Sequence, residues 1–166
     1  MKFFNYIYIS FLSLLCLGCG IYSFSGIETN AETFQVNYFQ NTANLIEPGL
    51  DRDFTLALQD QIQNLSSLSL VNSNGDLVFE GEITEYRISP TTATANSTAA
   101  QNRLTIGVNV RFYNKLNEDE NFEKNFSFFY DYTGSQLLTG ATKETAFEEI
   151  FQRLTQDIIN ASLANW

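Results

Sequence analysis

Apolar residues recur along the chain with two different periods, and these periods predict where its strands and helices lie. Over Thr33–Phe39 apolar and polar residues alternate, which is typical of a strand with one buried face. Over Pro48–Leu65 the apolar spacing changes to three and four residues, which indicates a helix with one apolar face. Pro48 fits the first turn of this helix, because the N–H that it lacks would have no partner there.

Three further strands are predicted after the first helix, and the local connections between them favour an antiparallel meander. They are expected at Leu77–Ile88, Arg103–Tyr113 and Phe122–Tyr132. Within the first of the three, the apolar residues change from one parity to the other. That change predicts a β-bulge near Gly81 or beyond Thr84.

A second helix is predicted near the end of the chain, after a connection rich in Thr and Gly. Thr142 or Thr145 can cap it, and Thr145 with Glu148 matches a capping box. Its apolar stripe consists of Ala146, Phe147, Ile150, Leu154, Ile158 and Ala161. The element order is therefore β-α-β-β-β-α. We expect an α+β two-layer sandwich, with a mainly antiparallel four-stranded sheet and both helices on one face.

Composition limits the chemistry that this fold can support. The chain has no His, and its cysteines are Cys16 and Cys19, so the predicted domain has neither a His base nor a disulfide. Nine Lys and Arg stand against nineteen Asp and Glu, a formal net charge of −10. This charge disfavours nucleic-acid binding through phosphate contacts and docking of the domain itself on an anionic membrane.

No group of residues in the sequence indicates an enzyme. The best carboxylate pair, Glu80 and Glu82, shares one strand face that is expected to be solvated. The segment Asn117–Glu120 lacks the pattern of a calcium loop, and neither a glycine-rich phosphate loop nor a nucleophile elbow occurs. We therefore expect no catalysis, no metal and no diffusible cofactor.

The first nineteen residues have the pattern of a bacterial lipoprotein signal. Lys2 precedes an apolar segment that ends at Leu17, Gly18 and Cys19. This segment is shorter than the ~20 apolar residues that a membrane-spanning helix needs. A Cys directly after Leu-Gly indicates a lipobox, with residues 1–18 removed and Cys19 lipid-modified. A diacylglycerol and an N-acyl chain there would give a stable anchor. The alternative is an ordinary cleaved signal with a chance Cys.

Residues 19–32 are then predicted to be a lipidated tether, and residues 33–166 a single domain. The low-complexity segment Ser89–Asn102 predicts a long loop between two strands. This loop is either a solvated connection or a partner contact, with the candidate contact residues Pro90, Thr91, Thr92 and Asn96. Two cations that flank it, Arg87 and Arg103, are candidate ligand-binding residues if they meet across a hairpin. The alternative is that both are exposed strand cations facing neighbouring Glu residues.

Several strings, in this order, resemble the LptE family, the lipoprotein partner of the outer-membrane lipopolysaccharide translocon. They are Cys19–Gly26, Leu70–Val71, Asn74–Leu77, Phe79–Thr84 with Tyr86, Asn102–Ile106, and Asn160–Ser162 followed by Ala164–Trp166. The resemblance implies an α/β sandwich that is lipid-anchored in the outer membrane, faces the periplasm and sits inside the LptD β-barrel. It further implies a role in assembling that barrel and in lipopolysaccharide transport, with lipopolysaccharide itself a candidate ligand.

A second hypothesis is a periplasmic or surface lipoprotein that binds carbohydrate. Aromatic residues share one face of the last predicted strand and would stack on sugar rings if exposed: Phe126, Phe128, Tyr130 and Tyr132. If that face packs against the helices instead, these residues belong to the core. The segment Gly20–Gly26 contains no acidic residue, which favours a periplasmic over a surface-exported position.

Overall fold

The computed structural model describes three stretches of the chain, residues 29–91, 101–133 and 138–163. Predictions for the signal segment, Cys19, Thr92 and Asn96 lie outside these stretches. Within them, no helix is both long and apolar enough to cross a membrane.

Among the described residues, six strands form one mixed sheet that is covered on one face by two helices. The strands are β1 (Thr33–Val36), β2 (Gln40–Asn41), β3 (Ser69–Leu70), β4 (Leu77–Thr91), β5 (Gln101–Asn114) and β6 (Phe122–Thr133). The helices are α1 (Leu50–Leu65) and α2 (Gly140–Leu163). The strand order is β3-β1-β4-β5-β6, and β2 pairs with β4 beside β1. The predicted α+β arrangement of a sheet and two helices is confirmed.

The prediction of four mainly antiparallel strands is wrong. β1 runs parallel to both β3 and β4, with Phe34 opposite Leu70 and Leu77. This arrangement follows from α1, which carries the chain back along the sheet before β3 begins, as a parallel connection requires. β2 and β3 have two residues each. Strands this short show no alternation of apolar and polar residues, so the sequence pattern did not reveal them.

The antiparallel meander of β4, β5 and β6 is confirmed, and so is a β-bulge in β4. The register between β4 and β5 shifts between Ile83 and Glu85, so that Thr84 is the extra residue. The sequence predicted a bulge near Gly81 or beyond Thr84, so the observed position is next to the second of these. The bulge moves the buried parity from odd positions such as Ile83 to even positions such as Tyr86.

One core lies between the sheet and the two helices. Its largest fully buried side chains are Phe34, Phe39, Phe54, Phe79 and Phe112. The fully buried apolar residues of the helices are Leu50, Phe54, Leu58 and Ile62 in α1 and Ala146, Ile150, Leu154, Ile158 and Ile159 in α2. Leu65, predicted as part of the α1 stripe, ends that helix and is exposed. The two predicted apolar stripes therefore pack into a single core.

Both helices begin at positions other than the predicted ones. Pro48 lies in the turn before α1, and Gly49 adopts φ 85° at the N-cap. Helix α2 starts at Gly140, so the predicted caps Thr142 and Thr145 both lie inside it. The first buried residue of α2 is Ala146. An exposed first turn carries no apolar period, and for this reason the pattern placed the start too late.

The turn before β4 is fastened to the start of β1 by a carboxylate. Asp76 Oδ2 accepts hydrogen bonds from the backbone N–H groups of Glu32 (3.1 Å) and Thr33 (3.0 Å) and from Thr33 Oγ1 (2.8 Å). These bonds hold the pKa of Asp76 below its usual value, and the bond from the Thr33 hydroxyl has the largest effect. The ionised carboxylate therefore stabilises the fold.

Replacing Asp76 with Asn is expected to lower the thermal midpoint at about pH 6 and to matter far less at about pH 2.5. Because the pKa of Asp76 is lower in the folded protein than its usual value of 3.8, the ionised carboxylate stabilises the fold above pH 3.8. This stabilisation is lost as the pH falls through the pKa that Asp76 has in the folded protein. Calorimetric melts at both pH values measure the difference between variant and wild type. The matched control is Asp60→Asn, at an exposed position of α1. An Asp76 effect of equal size at both pH values would contradict this account.

Candidate functional site

The predicted contact and ligand residues that the structure describes are Arg87, Pro90, Thr91 and Arg103, and they lie at one end of the sheet, where β4 ends and β5 begins. Both strands extend into the segment that was predicted to be a loop, and the register pairs Ser89 with Arg103 and Thr91 with Gln101. The predicted loop from Ser89 to Asn102 is therefore too long at both ends. Pro90 is exposed, and the side-chain oxygen of Thr91 is buried and has no hydrogen-bond partner among the described residues.

Arg87 and Arg103 lie on the same outer face of the sheet, the face that neither helix covers. Arg87 is opposite Thr105, and Arg103 is opposite Ser89, so the two arginines are diagonal neighbours on adjacent strands. Arg87 Nε donates to Glu85 Oε1 at 2.7 Å, and its Nη1 donates to Ser89 Oγ at 3.3 Å. The charge of Arg87 is thus balanced by a carboxylate on its own strand.

Arg103 is held by a second carboxylate across the β5–β6 pair. Its Nε and Nη2 donate to the two carboxylate oxygens of Asp131 at 2.7 and 2.8 Å. The guanidinium also lies 3.6 Å from the ring centre of Phe129. The hydrogen-bonded pair raises the pKa of Arg103 and lowers the pKa of Asp131. An anionic ligand at Arg103 would compete with Asp131 for the same guanidinium donors.

On the opposite, helix-facing side of the same sheet end, a part-buried polar cluster joins distant segments. Lys143 Nζ donates to Glu47 Oε1 at 2.6 Å, and Tyr86 Oη donates to Glu47 Oε2 at 3.3 Å. The ring of Tyr86 meets that of Phe147 edge to face. The pKa of Tyr86 is raised above its usual value. Burial of the phenol is the larger cause, and the negative charge of Glu47 is the next. The cluster ties the start of α2 to the segment between β2 and α1.

The sequence did not single out Glu47 or Lys143, because they are 96 positions apart and belong to no motif. Nothing in either local pattern distinguishes them from other exposed charges. Only the packing of α2 against the sheet brings them together. This polar cluster is therefore a feature of tertiary structure alone.

The middle of the outer face carries polar pairs that link neighbouring strands. Glu80 accepts hydrogen bonds from Arg111 Nε and Asn37 Nδ2, both at 3.1 Å, and Asn109 donates to Asn125. Glu80 thus links β4 to β5 and to the segment after β1. No group of three or more His, Cys, Asp or Glu in the described stretches is arranged to hold a metal ion.

The aromatic face of β6 points toward the helices. Tyr132 is buried, while Phe126, Phe128 and Tyr130 are half-buried and pack against the core. A sugar-stacking platform needs exposed ring faces. The carbohydrate-binding hypothesis predicted exposure of all four residues, and none of them is exposed.

A model of the lipopolysaccharide-assembly family LptE matches residues 31–162. The chain belongs to the LptE family. The match extends from just before β1 into the last turn of α2, so it includes Arg87, Arg103 and the polar cluster around Glu47. Cys19 lies before the matched segment.

Solved structures with a similar fold share little sequence with this LptE-family chain. The hypothetical protein CT253 from Chlamydia trachomatis has a TM-score of 0.51 at 11% identity, over 81% of this chain and 99% of that one. The PelC dodecamer from Paraburkholderia phytofirmans has a TM-score of 0.49 at 10% identity, over 82% of this chain and 92% of that one. Rare lipoprotein B from Shewanella oneidensis has a TM-score of 0.43 at 12% identity, over 76% of this chain and 89% of that one. No curated protein sequence matches the chain. At 11% identity, the similarity to CT253 supports only a common fold.

Proposed function

We propose that this protein is an outer-membrane lipoprotein that supports the assembly of an LptD-type β-barrel and the passage of lipopolysaccharide through it. The observation that carries the proposal is the LptE family match over residues 31–162. Lipid on Cys19 would hold the domain at the periplasmic side of the membrane. The role is structural and not catalytic.

The packing of the described domain suits a protein that seats within a larger partner. Both helices and the sheet share one core, so the domain presents a rigid body with a fixed outer surface. The uncovered sheet face carries hydrogen-bonded polar pairs, which remain compatible with water or with polar groups of a partner. Such a body supports a barrel by filling space and by offering fixed contacts.

Direct contact with lipopolysaccharide would use Arg87 and Arg103. Phosphate groups of the ligand would compete with Glu85 and Asp131 for the two guanidinium groups. Because each cation already has a carboxylate partner, the net charge of this patch is close to neutral. Ligand binding is therefore the secondary part of the proposal, and barrel support is the primary part.

The test is a native pull-down of the full-length, lipidated protein from a mild-detergent extract of outer membranes. We expect a large β-barrel protein to be recovered at equal stoichiometry. Labelling with radioactive palmitate is expected to mark the wild type and to leave the Cys19→Ala variant unmarked, because this variant lacks the residue that carries the acyl chains. The label recovered with the immunoprecipitated protein measures this loss.

Cys16→Ala is the matched control, since it changes the other cysteine of the signal and leaves the lipidation position intact. We expect this control to be labelled like the wild type. Labelling of Cys19→Ala at the wild-type level would show that the lipid anchor is wrong. Recovery of lipidated wild-type protein without a barrel would show that the proposed function is wrong.

A further inference from the structure

β6 forms one edge of the sheet over its full length of 12 residues. In the described part of the chain it pairs only with β5, whereas the opposite edge is β3, which has two residues. A long edge strand presents unpaired backbone N–H and C=O groups, and a very short one presents few. β3 is thus a very short edge, whereas β6 is an edge along its whole length; among the described residues, β4 also lacks a neighbour on the β2 side beyond Ile83.

The alternation of hydrogen bonds identifies the residues of β6 that face outward. The N–H of Lys115 donates to the carbonyl of Asp76 at 2.9 Å and continues the β4–β5 ladder by one pair. Odd-numbered residues of β5 therefore bond to β4, and even-numbered ones face β6. Because Phe112 is opposite Phe122, the even-numbered residues of β6 bond to β5. Every second residue over Glu123–Thr133 directs its backbone groups to the free edge.

Little in β6 opposes the addition of another strand. It contains no proline, and its register with β5 is continuous. Over Asn125–Thr133 the one charged residue is Asp131, whose carboxylate is held by Arg103. Lys124 is the charge on the helix-facing side, and it lies near the start of the strand. Protected edges usually carry prolines, bulges or several charges.

Aromatic side chains flank this open edge on both faces of the sheet. Phe126, Phe128 and Tyr130 are half-buried on the helix side, so each ring keeps some open surface. Phe129 is 42% exposed on the outer side. An added strand would complete the backbone hydrogen bonds and would also bury apolar ring surface on both faces.

We propose that the free edge of β6 binds an extended segment of the partner barrel as an added strand. This inference rests on the proposed function, since it takes the barrel as the partner. Strands in the wall of a closed barrel are paired on both sides, so the segment must lie outside the wall. A net charge of −10 opposes pairing with a second copy and favours a neutral or basic segment.

Two substitutions at Ser127 test this edge in the pull-down described above. The N–H of Ser127 faces the free edge and its side chain is exposed. Ser127→Pro removes that N–H without removing a bond to β5, and proline is tolerated at such edge positions. Ser127→Val keeps the N–H and suits a strand. We expect wild-type recovery of the barrel with Ser127→Val and at least about tenfold lower recovery with Ser127→Pro.

Residue-resolved amide exchange on the wild-type protein provides a second measurement, which decides the case even if Ser127→Pro fails to fold. In the isolated protein, the amides of Ser127 and Phe129 should exchange rapidly and that of Phe128 slowly. In the complex, Ser127 and Phe129 should become protected as well.

Each contrary outcome has a distinct meaning. Equal barrel recovery with both variants would overturn the edge inference and leave the proposed function standing, whereas no recovery even with wild type would overturn both. Slow exchange of Ser127 and Phe129 in the isolated protein would show that the edge is already filled. Its occupant would then be a segment of this chain or a second copy, and the inference would be wrong.

Discussion

Replacing Gly81 with Ala is expected to destabilise the protein severely, although it adds a single methyl group. A Cβ at this position in β4 would collide with the backbone carbonyl oxygen of Asn109 and lie 2.7 Å from Cε1 of Phe39. The carbonyl belongs to the neighbouring strand and cannot rotate away as a side chain can. Overpacking in a core typically costs ~1–3 kcal/mol, and we expect about 3 kcal/mol or more here.

Gly107→Ala in the adjacent strand β5 is the matched control. There the nearest atom is Cβ of Glu85 at 3.1 Å, followed by Glu85 Oε2 at 3.4 Å and Thr84 Oγ1 at 3.6 Å. At these distances the neighbours must yield by only a few tenths of an ångström, far less than the carbonyl of Asn109 would at Gly81. Both substitutions lower the conformational entropy of the unfolded chain by a similar amount. This effect on stability therefore cancels when the two variants are compared. Urea unfolding gives the two midpoints and slopes. Equal midpoints for the two variants would contradict the predicted clash.

Gly81 also shows how a sequence pattern can mark a position for the wrong reason. The change of parity predicted a β-bulge near Gly81 or beyond Thr84, and the bulge lies at Thr84, next to the second of these positions. Gly81 is required because Phe39 and the β5 backbone approach it closely. A strand glycine indicates either a bulge or a close approach, and the sequence does not distinguish them. The distinction depends on Phe39, which is distant in the chain.

Periodicity predicted the long elements β4, β5, β6 and both helices, because alternation or helical spacing accumulates over many residues. It also predicted β1, which has four residues, because the alternation continues beyond this strand to Phe39. β2 and β3 are too short to show a period, and the parallel pairing of β1 depends on the path of the chain through α1. Strand direction is thus a property of connections and not of the strands themselves.

The same reasoning separates the predictable part of the candidate site from the rest. A hairpin predicts that residues flanking its loop are neighbours, and Arg87 and Arg103 are indeed on one face of adjacent strands. Their exact partners require the register. Asp131, 28 positions after Arg103, becomes its partner only because β5 and β6 pair them directly. A register shift of two residues would give Arg103 a different partner on the same face.

Phe54→Ala is expected to lower the free energy of unfolding by about 3–5 kcal/mol. The side chain of Phe54 in α1 is fully buried. Its ring meets Phe39 at 5.3 Å and Phe151 of α2 at 5.6 Å, in both cases edge to face. Truncation removes both aromatic contacts and leaves a cavity where α1, α2 and the segment after β1 converge. Urea unfolding, followed by circular dichroism, measures the loss in the free energy of unfolding.

Leu56→Ala, two residues further along α1, is the control, because Leu56 is 48% exposed. We expect it to change stability by no more than about 0.5 kcal/mol. If Phe54→Ala were no more destabilising than Leu56→Ala, the two helices would not depend on a common core. The domain would then lack the rigidity with which it is proposed to support a barrel. A large loss for Phe54→Ala alone would tie the rigidity of the domain to the contact between α1 and α2.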